Sequence, residues 1–252
     1  YRFDRDSSGV RKTAEIYMSI GKGGIGKTRL GDQRTPLGMY FVTEQLDTTR
    51  LHEKYGATAF PLDYPNAWDK LRGRTGHGIW VHGVAPAGGK RPPLDTDGCI
   101  ALPNERLSAL VDAFVPNVTP VLIGENMQMA DASAVEIDRI ALEAAVRQWV
   151  AALEDGDLFT WIDAYDTSFT RWGMNRDEWA TFSLQTMAQR RIEGVDVSDL
   201  LILADPAEDG LFLSRFRLEV SEAGGRSVVS MHRIFWRRAQ SGELKIVAED
   251  SG

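Results

Sequence analysis

The sequence predicts two domains of different class: a mainly β front domain over residues 1–126 and an α+β rear domain over residues 134–252, with a linker at 127–133. Three observations carry this. A chain of 252 residues is long enough for two ordinary domains, each with its own core. Ahead of residue 124 the apolar residues fall in short runs broken by Gly and Pro, whereas beyond 134 helical patterns come first and strands second, the α+β order. Between them, residues 124–133 turn polar and lose periodicity.

Taken in order, residues 14–20 alternate, with Ile16, Met18 and Ile20 on one face and Glu15, Tyr17 and Ser19 on the other, which reads as a half-buried strand. A glycine-rich loop follows. Residues 38–44 and 78–82 are further strands, rich in aromatic and β-branched residues, and the Pro- and Asp-bearing stretch between them reads as loop. One helix is expected after Pro103, with Asn104 as N-cap and Leu107, Leu110, Val111 and Phe114 at helical spacing. Pro116 and Pro120 close it before a short strand at 121–123.

In the rear domain helices are expected over 135–153, 159–169 and 175–191, the last opened by Asn175 and Glu178 at capping-box spacing. Residues 197–203, 211–220, 227–237 and 244–249 then read as an antiparallel sheet, because short Gly-, Asp- or Pro-bearing turns join them.

Bulk chemistry narrows the function. The formal charge of −7 argues against nucleic acid, whose phosphates demand a basic surface. No apolar run approaches the roughly 18 residues of a membrane span. The chain opens at Tyr1 rather than Met, which suggests that a signal peptide has been removed. Its one cysteine and scattered histidines offer no pair at metal-ligand spacing, so neither a metal nor another cofactor is expected.

Residues 21–28, Gly-Lys-Gly-Gly-Ile-Gly-Lys-Thr, match the phosphate-loop pattern and follow a predicted strand. That motif works only if a helix begins at its lysine and presents N–H groups to the phosphates. Gly31, Pro36 and Gly38 interrupt the chain too soon, and no strand ending in a metal-binding Asp follows. The segment is read as a loop beside a site.

Cys99 lies in Thr96-Asp97-Gly98-Cys99, just after the Pro- and Gly-rich residues 86–93. Gly98 permits backbone conformations that can turn consecutive N–H groups to one point, as an oxyanion hole requires. His82 ends a strand and precedes Gly83, so a rigid element presents its imidazole to the same loop. A histidine in reach raises the small thiolate fraction of an ordinary thiol by forming an ion pair. These features mark Cys99 as nucleophile and His82 as base. His77, in the turn 76–78, is the second choice; His52 lies in a charged stretch and His232 in a C-terminal strand.

The same residues resemble the L,D-transpeptidase (YkuD-type) catalytic domain, whose pattern is a His-Gly strand end, a variable loop and Ser/Thr-x-Gly-Cys. Two upstream pieces agree: Thr35-Pro36-Leu37-Gly38-Met39-Tyr40, and the stretch from Gly73 through Arg74 to Trp80 that leads to His82. Residues 149–158, with Tyr165, Phe169 and Trp179, resemble an NTF2-like domain. Together the halves are similar to the cell-shape L,D-carboxypeptidases of Gram-negative bacteria.

The resemblance implies a YkuD-like β-sandwich followed by an NTF2-like domain, a periplasmic location and peptidoglycan stem peptides as partner. Cys99 would attack the third-residue carbonyl of a stem tetrapeptide and release D-alanine. The Gly83 carbonyl would orient His82, and the N–H groups of Gly98 and Cys99 would meet the oxyanion. Thr96, Asp97, Arg74 and Trp80 would stand at the oxyanion and substrate side. Many members carry His before the Gly-Cys pair and Arg two places after the cysteine, where this chain has Asp97 and Ala101. Contacts to substrate carboxylates therefore pass to Arg29, Arg34, Arg74 or Lys27 as candidates. The acyl acceptor is left open between water and an amine, and two other readings stand beside it: a murein-binding module without catalysis, and a lipoprotein attachment or release enzyme.

Overall fold

The structure is a computed structural model that describes residues 1–6, 9–87, 91–126, 131–187 and 190–251. Two compact units divide the chain: Tyr1–Pro65 with Gly73–Glu125, and Asn66–Arg72 with Asn126–Gly252.

The front unit is built from short strands around one apolar core. β1 (Arg2–Asp6) and β2 (Gly9–Ala14) pair antiparallel and are largely exposed. β3 (Ile20–Gly21) runs parallel to β7 (Leu94–Thr96), and β4 (Gly38–Phe41) antiparallel to β9 (Pro120–Ile123). At the centre β6 (Trp80–His82) lies between β5 (Ala59–Pro61), antiparallel to it, and β8 (Ile100–Ala101), parallel to it. Tyr40, Phe60, Leu62, Ile79, Val81, Ile100 and Leu107 form the core these strands share.

Two expectations for this unit need correction. The strand over 14–20 shrinks to a bridge between Ser19 and Ala101 followed by β3, and Met18, assigned to the core face, is 48% exposed. The chain leaves β2 at Ala14 and first meets β8 at Ser19; between them Ile16 packs on the core as expected, but among the described residues no strand pairs with residues 15–18. After Pro103 the helix α2 (Asn104–Ser108) has five residues, followed by a 3-10 turn at Val111–Ala113. Its apolar face is as expected, with Leu107 fully buried and Leu110, Val111 and Phe114 packed on the core. Its N-cap, however, is Pro103 rather than Asn104, whose side chain is engaged elsewhere.

The rear unit shows the α+β order. α1 (Ala67–Leu71), inside a stretch read as loop, is too short to print a period and is held by reciprocal Asn66 and Asp69 bonds. α3 (Ala132–Glu154), numbered after α2, is capped by Asp131. α4 (Leu158–Asp163) stops short of the expected 169, because Tyr165 and Asp166 turn to bond the last strand at Ile246. The pair β10 (Thr170–Arg171) and β11 (Met174–Asn175) leads to α5 (Arg176–Met187). There the capping box forms as expected: Asn175 N–H donates to Glu178 Oε2 at 2.9 Å and Glu178 N–H to Asn175 Oδ1 at 3.0 Å.

A four-stranded antiparallel meander follows: β12 (Ile192–Ala204), β13 (Leu211–Glu222), β14 (Arg226–Arg238) and β15 (Leu244–Ser251). Each strand is as predicted or longer. The core packs Trp149, Trp161, Tyr165, Phe169 and Trp179 against Phe216, Ile234 and Trp236. Tyr165 Oη donates at 3.0 Å to Glu249, which also pairs with Arg171, so the interior holds one satisfied polar network.

Candidate active site

In the β6–β8 pairing Val81 stands opposite Ile100 and His82 opposite Ala101. Cys99 stands one residue ahead of β8, on the turn that leads into it. The parallel pairing thus brings residues seventeen positions apart to neighbouring strands. Cys99 is half-buried, and its thiol donates to Gly78 O at 3.4 Å while the sulfur accepts the Trp80 N–H. The sulfur is therefore anchored on Gly78, just ahead of β6, and on Trp80, its first residue.

His82 is 4% exposed, and its Nδ1 lies 2.6 Å from Gly83 O. A carbonyl can only accept, so Nδ1 bears the proton and Nε2 keeps a lone pair. The Tyr55 ring meets the imidazole edge-on at 5.2 Å and tilts against Trp80 at 4.7 Å. Burial pushes His82 down to about 4, against the smaller upward pull of the Gly83 bond. Burial likewise pushes the Cys99 thiol up, against the Trp80 N–H and the positive charge of Lys54. Both shifts weigh against the ion pair expected from sequence, because each charged form is desolvated.

The turn before the thiol is fixed by two hydroxyls. Thr96 Oγ1 donates to Cys99 O at 2.6 Å and accepts Gly98 N–H at 3.1 Å. Thr35 Oγ1 donates to Gly98 O at 2.9 Å and accepts Gly21 N–H at 3.0 Å. Gly98 has φ +126°, and a Cβ there would lie 2.8 Å from Arg34 O. The Gly98 N–H, expected at the oxyanion, is thus already taken by Thr96; the Cys99 N–H, one residue ahead of the strand pairing, is the other expected donor.

The remaining named residues are placed as follows. Asp97 points outward, 3.0 Å from Lys22 and 3.1 Å from Gln33, and its carboxyl is held below the usual range first by the Lys22 bond. Arg74 is half-buried ahead of β6, and Arg34 donates to Ile25 O at 3.0 Å. His77 is exposed between two glycines of positive φ, and His52 caps a 3-10 turn through Nδ1. His232 is in the rear unit, stacked on Phe216.

Lys27 settles how the phosphate-loop pattern is used. No helix begins there, and its ammonium is buried, 2.7 Å from Asp32 Oδ1 and 3.0 Å from Arg29 O. Asp32 also accepts the N–H groups of Thr28, Arg29 and Arg34, which together hold its carboxyl far below the usual range against the cost of burial. The lysine ties a loop whose Thr35 holds the Gly98 turn. Among the described residues no group of three metal-ligating side chains comes together, and no helix is long and apolar enough to cross a membrane.

The front unit thus sets a Gly-Cys turn beside a strand whose last residue is a histidine bound to a carbonyl. Residues 2–123 match the YkuD family, the L,D-transpeptidase catalytic domain. Across both units the chain is similar to Bd1075 of Bdellovibrio bacteriovorus, with 26% identity, 99% of this chain and 87% of that one covered, and a TM-score of 0.77. It is also similar to the helical cell shape determining protein Pgp2 of Campylobacter jejuni, at 25% identity over 96% of this chain and 84% of that one, with a TM-score of 0.75. An NTF2-like protein of Pseudomonas putida aligns with 49% of this chain and 89% of its own at 12% identity, TM-score 0.40. No curated protein matches the chain.

Thr35, Tyr55, Asn104 and the Trp80 N–H were not assigned these contacts from sequence. Thr35 stands in the Thr-Pro segment that the resemblance singles out, but nothing local to Tyr55 marks it as the wall of a histidine.

Proposed function

We propose that the protein is a periplasmic L,D-carboxypeptidase that trims peptidoglycan stem tetrapeptides to tripeptides through a thioester on Cys99. The observation that carries this is the pairing of β6 with β8, which brings the Cys99 thiol against the backbone leading to His82, with Nδ1 fixed on Gly83 O so that Nε2 is the basic nitrogen.

Because burial disfavours both charged forms, proton transfer accompanies attack. The Cys99 sulfur bonds the third-residue carbonyl carbon, and the thiol proton leaves Gly78 O for His82 Nε2. The Cys99 N–H meets the developing oxyanion. Collapse breaks the C–N bond to the terminal D-alanine, whose amine takes the proton from His82. A water then gives a proton to Nε2 and attacks the thioester, and the thiolate leaving group recovers that proton. The products are tripeptide carboxylic acid and free D-alanine.

Water is taken as acceptor, and the periplasm as setting, on the resemblance to the cell-shape L,D-carboxypeptidases; likeness to a helical cell shape determining protein over 96% of the chain supports a role at the wall. An amine acceptor would give a cross-linked dimer by the same thioester. Arg74, Trp80 and Asp97 are proposed on the substrate side. The test is mass spectrometry of the protein after incubation with a carbapenem or disaccharide tetrapeptide: an adduct on Cys99 is expected, and neither adduct nor turnover would leave a binding module.

A further inference from the structure

Asn104 does not cap its helix; its amide is wedged between two glycines at the exit of β6. A Cβ at Gly83 would lie 2.1 Å from Asn104 Oδ1 and one at Gly56 2.3 Å from it, so both positions are glycine where this amide needs the room. Oδ1 accepts Val84 N–H at 3.0 Å and Ala57 N–H at 3.2 Å, and Nδ2 donates to Val84 O at 2.8 Å.

The Val84 N–H and the Gly83 C=O belong to one peptide unit, which is planar and trans, so they point in opposite directions. Fixing the N–H on Asn104 therefore aims the C=O on the far side, where it receives His82 Nδ1 at 2.6 Å. The Ala57 bond ties down the end of the turn Glu53–Tyr55, whose Tyr55 ring is the edge-on neighbour of the same imidazole. One side chain thus sets both the acceptor that chooses the tautomer and the aromatic wall.

We propose that Asn104 is a positioning residue of the acyl-transfer site, holding the Gly83–Val84 peptide plane so that His82 stays in the Nδ1–H tautomer with Nε2 free to act as base. This rests on the reading of His82 as base, but the tautomer itself can be read without any turnover. Freed from the clamp, the peptide plane can rotate, and a neutral imidazole then divides between its two tautomers.

The experiment compares wild type, Asn104→Ala and Asn104→Asp by nitrogen-15 NMR of labelled histidine at pH 7 and by tetrapeptide hydrolysis. The chain has four histidines, and His82→Gln assigns the signal. Wild type is expected to show His82 protonated at Nδ1. In Asn104→Ala the Nε2–H form should become visible and kcat fall about 10- to 100-fold at unchanged KM, as for other partners that orient a functional histidine. Asn104→Asp keeps an acceptor for both N–H groups but loses the donor to Val84 O, and should retain the wild-type tautomer with a kcat between those of wild type and Asn104→Ala. If Asn104→Ala folds and keeps tautomer and kcat, the proposal is overturned. If Asn104→Ala does not fold, Asn104→Asp decides: retention of the Nδ1–H tautomer supports the clamp, and loss of it overturns the clamp. Absence of turnover in wild type would count against the enzymatic reading while leaving the NMR comparison intact.

Discussion

A neutral resting pair at Cys99 and His82 makes a prediction about thiol chemistry. Burial holds the imidazole at about 4 and pushes the thiol above its ordinary 9.0. Moving the proton from sulfur to nitrogen therefore costs at least about 7 kcal/mol before the two charges attract. Two unit charges in contact at an effective dielectric near 20 recover about 4 kcal/mol, less than that cost, so burial favours the neutral pair. The assay is alkylation of Cys99 by iodoacetamide between pH 5 and 9, followed by intact mass; the chain has one cysteine, so the signal needs no deconvolution. The rate should rise about tenfold per pH unit from 6 to 8, as thiolate becomes available by ordinary titration. His82→Ala should leave that slope in place. A rate flat from pH 5 to 8 that collapses in His82→Ala would show a resting ion pair and refute the reasoning.

Three further outcomes follow from burial and close packing. Lys27→Ala strands the Asp32 carboxylate, whose side chain is 7% exposed, and should destabilise the front unit by about 3–5 kcal/mol in urea unfolding, while ATP and GTP leave the wild-type melting temperature unchanged. Gly98→Ala would set a Cβ 2.8 Å from Arg34 O at φ +126° and should lower both the melting temperature and turnover. His82 and His232 are both pushed down to about 4 by burial, so between about 6.5 and 4 the unfolded chain binds protons that the folded chain does not. Stability is full above that window and falls as pH drops through it, by up to about 3 kcal/mol for each histidine; His232→Phe should remove its share in urea unfolding at pH 7 and 4.5.

How far the sequence carried the reading depended on the range of the interactions involved. The four rear strands printed their period because each lies in a long meander with one face on the core, and the box at Asn175 and Glu178 was legible because it is complete within four residues. At the front, apart from the exposed pair β1 and β2, strands of two to four residues are too short to show a period, and partners come from far along the chain, as Ala101 does for Ser19. Cys99 and His82 stood out through their glycine neighbours, which mark special backbone. The pull of burial on both groups was hidden, since it arises from tertiary packing. Asn104 was misread for the same reason: an Asn before a helical run fits a cap, and only the fold brings Gly56 and Gly83 around its amide.

The central claim is that Cys99 carries the acyl group and water removes it. Its most direct test is hydrolysis of disaccharide tetrapeptide in oxygen-18 water by wild type and Cys99→Ala, with products read by mass spectrometry. Wild type should yield D-alanine and a tripeptide carrying a single oxygen-18 in its new carboxyl group, and Cys99→Ala should yield neither. Equal hydrolysis by Cys99→Ala would contradict the account.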